Sequence, residues 1–84
     1  VPSIAVSSMV IYKGNEFKEW NGDALIASLK DQSLRKIRFK DNEFINEKII
    51  FKGNVGRIRD IEIHKKIGAV FLLTDNGSIW RLQK

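Results

Sequence analysis

A chain of 84 residues, 43% of them hydrophobic, has material for one domain with a modest core and no more. Cysteine is absent, which excludes disulfides and thiolate chemistry, and the longest apolar runs, such as residues 69–73, fall far short of the ~20 needed for a membrane-spanning helix. Fifteen Lys and Arg against ten Asp and Glu leave a net charge of +5, which favours an anionic partner without choosing among nucleic acid, anionic lipid and an acidic small molecule.

The basic residues (Lys13, Lys18, Lys30, Arg35, Lys36, Arg38, Lys40, Lys48, Lys52) are scattered, the usual distribution of a solvated surface. The chain opens Val-Pro-Ser, with neither an initiating methionine nor a charged segment leading into an apolar one, so it reads as part of a longer polypeptide with no visible signal peptide.

Ser8-Met-Val-Ile-Tyr12 is β-branched and aromatic and is stopped by Lys13-Gly14, the pattern of a strand. Residues 15–20 admit one helical turn before Asn21-Gly22-Asp23 breaks the chain again. Residues 24–36 have two readings. Asp23 can cap a helix on which Leu25, Ile26, Leu29 and Leu34 recur at near-helical spacing, and the residues alone favour it. The alternative is a strand over 24–29, a turn at Asp31-Gln32 and a strand over 34–39.

Turn chemistry at Lys40-Asp41-Asn42-Glu43 leads into a strand over 44–51, with Ile45, Ile49 and Phe51 assigned to one face, and the two sides of this turn form a hairpin. Gly53-Asn54 and Gly56 punctuate the chain before residues 57–63, where simple alternation puts Arg57, Arg59, Ile61 and Ile63 on one face. A basic turn at residues 64–68, an apolar strand over 69–74, and Asp75-Asn76-Gly77 before a strand over 78–82 complete the chain, with Asn-Gly as a strong hairpin signal.

On the all-β reading there are four strands in residues 8–51 and three in residues 57–82. Tandem four-stranded meanders are the blades of a propeller, and a three-stranded last blade obtains its fourth strand from another part of the polypeptide.

The succession Pro2-Ser-Ile-Ala-Val-Ser-Ser8, Tyr12-Lys-Gly14, Phe17-Lys-Glu-Trp20, Ser28-Leu-Lys30, Gly56-Arg-Ile-Arg-Asp60 and Leu72-Leu-Thr-Asp75 resembles the C-terminal part of the soluble glucose/sorbosone dehydrogenase family, quinoproteins that use pyrroloquinoline quinone (PQQ). The match runs nearly the whole chain and departs from it at Val6, where many relatives have proline. It selects the strand reading of residues 24–36 and implies a six-bladed β-propeller, with about 7–52 as one antiparallel four-stranded blade and 57–83 as three strands of the last. By the same resemblance, Lys30, Arg57 and Arg59 fall on cofactor-binding positions. The pairing is chemically apt: PQQ has three carboxylates, guanidinium pairs with carboxylate bidentately, and lysine supplies a compact charge.

The resemblance further implies a parent enzyme, periplasmic or secreted, that oxidises an aldose sugar at its anomeric carbon to a lactone. The catalytic histidine and the calcium ligands belong to earlier blades, so this chain has no catalytic or metal-ligating residue of its own and is inactive alone. Its expected partners are the remaining blades, and isolated it is expected to self-associate through faces those blades would cover. Two rival readings are a non-catalytic binding propeller of the same family and a small basic nucleic-acid-binding β-domain, which calls for exposed aromatics interleaved with the basic residues. Asp60 reads as a local partner, Tyr12, Trp20 and Trp80 as packing residues, and His64 stands without a metal-ligand cluster.

Overall fold

The computed structural model describes residues 6–53 and 55–82 and contains two antiparallel sheets. The first has β1 (Val6–Ile11), β2 (Ala24–Ser28), β3 (Ser33–Lys40) and β4 (Glu43–Lys52) in chain order; the second has β5 (Ile58–Ile63), β6 (Val70–Thr74) and β7 (Ile79–Arg81). One turn of 3-10 helix, Lys18–Trp20, lies between β1 and β2, and no α-helix occurs among the described residues. The all-β class and the four-then-three division thus agree with the residue pattern. Pro2 to Ala5 of the first motif, Asn54, and Gln83 at the end of the last expected blade lie outside the described residues.

Residues 24–36 form β2, a turn and β3, the strand reading that the resemblance selects, and not the helix that their spacing alone favours. Every residue of β2 is buried, so the strand lacks the apolar-polar alternation of a half-exposed one. A short apolar run of this kind matches helix and strand templates equally well. The hairpin is in strict register from Ser28 opposite Ser33 to Ala24 opposite Ile37, and Gln32 takes a left-handed conformation (φ 53°) in the turn. Asp41 and Asn42, at φ 53° and 66°, close the β3–β4 hairpin, as tight two-residue turns that match strand twist require.

Alternation fails at β4 and β5 because both strands are irregular. The β3–β4 pairing slips between Leu34 and Arg35 and again between Arg38 and Phe39, leaving Ile50 and Ile45 as extra residues on β4. The β5–β6 pairing slips between Ile58 and Asp60, so Arg59 is the extra residue of a bulge. Ile58 and Ile61 are buried while Arg59 is exposed, and Arg59 therefore does not share the face of Ile61.

The core lies between the sheets: Leu25, Ala27 and Leu34 of the first meet Ile58, Ile61, Val70 and Leu72 of the second, with Tyr12 and Phe17 closing one side. Strand β5 packs across β1 and β2. Three side chains of the β1 segment fix this packing. The Ser7 hydroxyl donates to the Ile58 carbonyl at 2.5 Å, with the Ala27 carbonyl 3.3 Å away; Ser8 donates to Asp60 at 3.3 Å; and the buried Tyr12 hydroxyl donates to the Gly68 carbonyl at 2.6 Å while accepting from the Phe17 amide at 3.1 Å. Phe17 stacks on Trp20 at 4.3 Å, and Trp80, expected to pack, is 46% exposed on β7.

Gly68 is at φ +76°, and a Cβ there would come within 2.7 Å of the Asn15 nitrogen and the Gly14 Cα, whereas Gly22, at φ +89°, has nothing within 4 Å. Both Gly68→Ala and Gly22→Ala incur the left-handed strain of about 1–2 kcal/mol. Only the first adds a backbone clash, and we expect it to cost at least about 2 kcal/mol more in a denaturant titration. Equal losses would show that the two loops do not press on each other.

Candidate functional site

The hairpin register sets the end at which Lys30 stands. With Ser28 opposite Ser33, residues 29–32 form the turn at the finish of β2, and Lys30 is exposed on it. Arg57 and Arg59 stand at the start of β5, also exposed. The Ser7 hydroxyl reaches both the Ala27 and the Ile58 carbonyls, so it holds the finish of β2 against the start of β5. The three sequence-predicted residues therefore occupy the same end of the molecule.

Each is presented by a fixed backbone. The Lys30 turn is braced by its neighbour Asp31, which accepts from Ser33 at 2.6 Å and is paired with Arg35; Arg35 also reaches Glu47 at 3.0 Å. The Gly53 amide donates to the Gln32 carbonyl at 2.9 Å and ties the same turn to the finish of β4. Arg57 is anchored through its main chain, its carbonyl accepting from the Asp75 amide at 3.0 Å. The bulge turns Arg59 outward, where its side chain is 63% exposed and only loosely paired with Asp75 at 3.7 Å, a contact of about 0–1 kcal/mol for groups so open to water. Asp60 accepts from the Ile61 amide at 2.9 Å and from Ser8, which makes it a fastener of the bulge and of β1.

Arg57, Arg59 and Lys30 thus offer cationic donors on an ordered frame with little internal neutralisation. That arrangement can orient carboxylates and other anionic groups. Among the described residues no three His, Asp or Glu side chains gather as a metal-binding group would, and no helix is long and apolar enough to cross a membrane.

A second ionic cluster, which the sequence reading took only as a helix cap, lies at the opposite end. Asp23 is buried beside Lys36 at 3.0 Å and Arg38 at 3.2 Å, and Arg38 also donates to the Glu19 carbonyl. The hairpin register contained this signal, since extending it one step beyond Ala24 and Ile37 sets Arg38 opposite Asp23. The expected exposed aromatics of a nucleic-acid face also bear comparison: Phe39 and Phe44 form an edge-to-face pair at the hairpin tip, exposed at 46% and 60%.

The scaffold is two packed antiparallel meanders with the exposed cations Lys30, Arg57 and Arg59 at one end. Residues 1–81 match the family described as Glucose / Sorbosone dehydrogenase, and a curated protein of Synechocystis sp., named "Uncharacterized protein slr1608", is 36% identical over 85 residues. The chain belongs to the glucose/sorbosone dehydrogenase family, as its motifs imply. The aligned segment covers 98% of this chain and 20% of the Synechocystis relative, so the chain spans about a fifth of that protein's length. The family description is that of a sugar-oxidising oxidoreductase.

Both buried or braced carboxylates affect acid stability. Burial pushes the Asp23 carboxyl upward, but hydrogen bonds from Arg38 and Lys36 outweigh it and leave the group below its ordinary 3.8. Hydrogen bonds from Ser33 and Arg35, in that order, hold Asp31 well below the same value. A depressed carboxylate stabilises the fold above its unfolded pKa and loses that contribution as pH falls through the folded one. Stability should therefore be level from pH 7 to about 5 and fall below about pH 4. An Asp23→Asn, Asp31→Asn variant should show a shallower decline in thermal midpoint between about pH 4 and 2, and an unchanged slope would count against both networks.

Proposed function

We propose that this chain is the C-terminal portion of a six-bladed propeller in which its cationic end forms part of the seat for PQQ. The four-stranded sheet is one blade, about residues 7–52. The three-stranded sheet, about residues 57–83, is most of the last blade and takes its fourth strand from elsewhere in the polypeptide.

The observation that carries this reading is the gathering of Lys30, Arg57 and Arg59 at one end of the two sheets, exposed and weakly neutralised, where family motifs and geometry coincide. Three cations match the three carboxylates of PQQ in number and charge. Arg57 and Arg59 offer rigid forks suited to carboxylate, and Lys30 a compact charge for a carboxylate or quinone oxygen. When bound, PQQ supplies the hydride acceptor for oxidation of an aldose to its lactone. The role of these side chains is to orient the cofactor and to stabilise negative charge by preorganised donors.

The catalytic histidine and the calcium ligands of the parent enzyme lie outside this chain, so residues 1–84 alone do not turn over sugar. The apolar faces left open are consistent with missing neighbours. Met9, Ile26, Arg35 and Ile49 fall in one cross-strand row on the outer face of the first sheet, and its apolar end members Met9 and Ile49 are 60% and 47% exposed. Strand β7 is an edge of its sheet with Ile79 and Trp80 exposed, which supports a further strand beside it. A periplasmic or secreted setting accompanies this reading, as it does for the family.

The deciding experiment is calorimetric titration of PQQ into the intact protein with calcium present. Each charge-assisted contact is worth about 1.5–3 kcal/mol, so the Arg57→Ala, Arg59→Ala variant should bind at least about 100-fold more weakly. Both arginines are exposed, and the variant should keep its thermal midpoint. Unchanged affinity would return the two arginines to ordinary surface charge.

A further inference from the structure

A concavity lies at the end away from Lys30, Arg57 and Arg59. Strands β1 and β5 run side by side, Ser7 near Ile58 at one end and Ile11 near Ile63 at the other. A six-residue strand is about 17 Å long, so a ligand at the far end cannot touch the near one. There the loop after β1 and the turn after β5 border a groove of about 650 Å³, lined by Ile11 and Ile63 together with Lys13, Lys65 and Lys66. This lies within the ~300–1,000 Å³ range of small-molecule sites.

The charge in this groove is one-sided. No carboxylate lines it, and Lys13, Lys65 and Lys66 form no ion pair among the described residues. Of the acids in the flanking segments, Glu16 pairs with Arg81 at 2.7 Å and Asp23 with Lys36 and Arg38, while the exposed Glu19 and Glu62 lie outside the lining. A cleft lined by one sign of charge over an apolar floor focuses its field and concentrates counter-ions.

Its walls are also built rather than loose. The Asn21 amide donates to the Gly14 carbonyl at 3.0 Å and accepts from the Gly14 amide at 2.8 Å, clamping the first loop. Gly14 presses on Gly68 so closely that a Cβ on it would lie 2.5 Å from the Gly68 Cα. His64 Nδ1 accepts from the Lys66 amide at 3.2 Å and holds the second turn, while Tyr12 fastens Gly68 from below. The lysines therefore project from two loops locked to each other, so the backbone needs little reordering and the cost of binding falls on the three exposed side chains.

We propose that this groove is a second anion site, distinct from the cofactor end, that takes a small molecule bearing two or more phosphate or carboxylate charges. The three ammonium groups bind it as point charges, and Ile11 and Ile63 accept its uncharged body. Binding in this groove is independent of PQQ at the other end.

Pyrophosphate and citrate would each be titrated calorimetrically into the intact protein, wild type and two variants. At least one should saturate a single site. The Lys65→Gln, Lys66→Gln variant, whose changes are exposed and should leave the thermal midpoint unaltered, should weaken binding at least tenfold; Lys30→Ala should leave it within twofold. Binding of pyrophosphate alone assigns the site to phosphorylated ligands, and binding of citrate alone to polycarboxylates. Should the double lysine variant fail to fold, Lys13→Gln serves in its place with the same expected direction. Absence of saturable binding by either anion, or an equal loss in Lys30→Ala, would overturn the proposal.

Discussion

The packing of β5 across β1 and β2 is the contact on which the rest of the molecule depends. It brings together two sheets far apart in the chain, covers Leu25 and Ala27 with Ile58 and Ile61, and is held by hydroxyl groups rather than by apolar burial alone. Ser7 and Tyr12 sit at opposite ends of the β1 segment and each reaches a carbonyl in the second sheet or its turn. Because these carbonyls are partnered at two points about a strand length apart, β5 cannot slide along β1 without leaving buried acceptors unsatisfied, a penalty of about 1–3 kcal/mol for each. The relative position of Lys30 and the two arginines follows from that constraint.

Much of this architecture was legible in the residues, for identifiable reasons. Strands beginning and ending at Gly, Asn and Asp were found because turn chemistry is local, as at Asp41-Asn42 and Asn76-Gly77. β2 was ambiguous because it is buried throughout; the helical alternative fell only when family motifs were considered. What local pattern did not reveal were the bulges. A one-residue insertion is set by the partner strand, so period-two reasoning put Arg59 with Ile61 when the slip at Ile58 separates them. Both arginines are nonetheless exposed, since Arg57 precedes the strand and Arg59 is the bulged residue.

The ionic organisation shows the same division between local and non-local information. Asp31 and Arg35 are close in sequence and bind across their own turn; Asp23 finds Lys36 and Arg38 only once the hairpin has closed. The acidic side chains so engaged are withdrawn from the surface balance, so the net charge of +5 is expressed where lysines and arginines have no such partner. Two ends of one slab, 36 × 35 × 16 Å, thereby become cationic for independent reasons: exposed arginines and Lys30 at one, unpaired loop lysines at the other.

The two bulges of β4 bear on how the open edge of the first sheet can meet another strand. β4 is ten residues long and lies at the edge of its sheet, carrying exposed Phe44, Ile45 and Ile49, the composition of a template for strand addition. The slips that leave Ile50 and Ile45 unmatched interrupt the regular ladder on both sides of residues 46–49. An incoming strand would find only about four residues in undistorted pairing, near the lower limit of a natural strand. Glu47 and Lys48 occupy that stretch, so the segment best shaped to recruit another chain is also its most polar part. Irregular pairing inside the sheet thus acts as a safeguard against fibrillar growth at its rim.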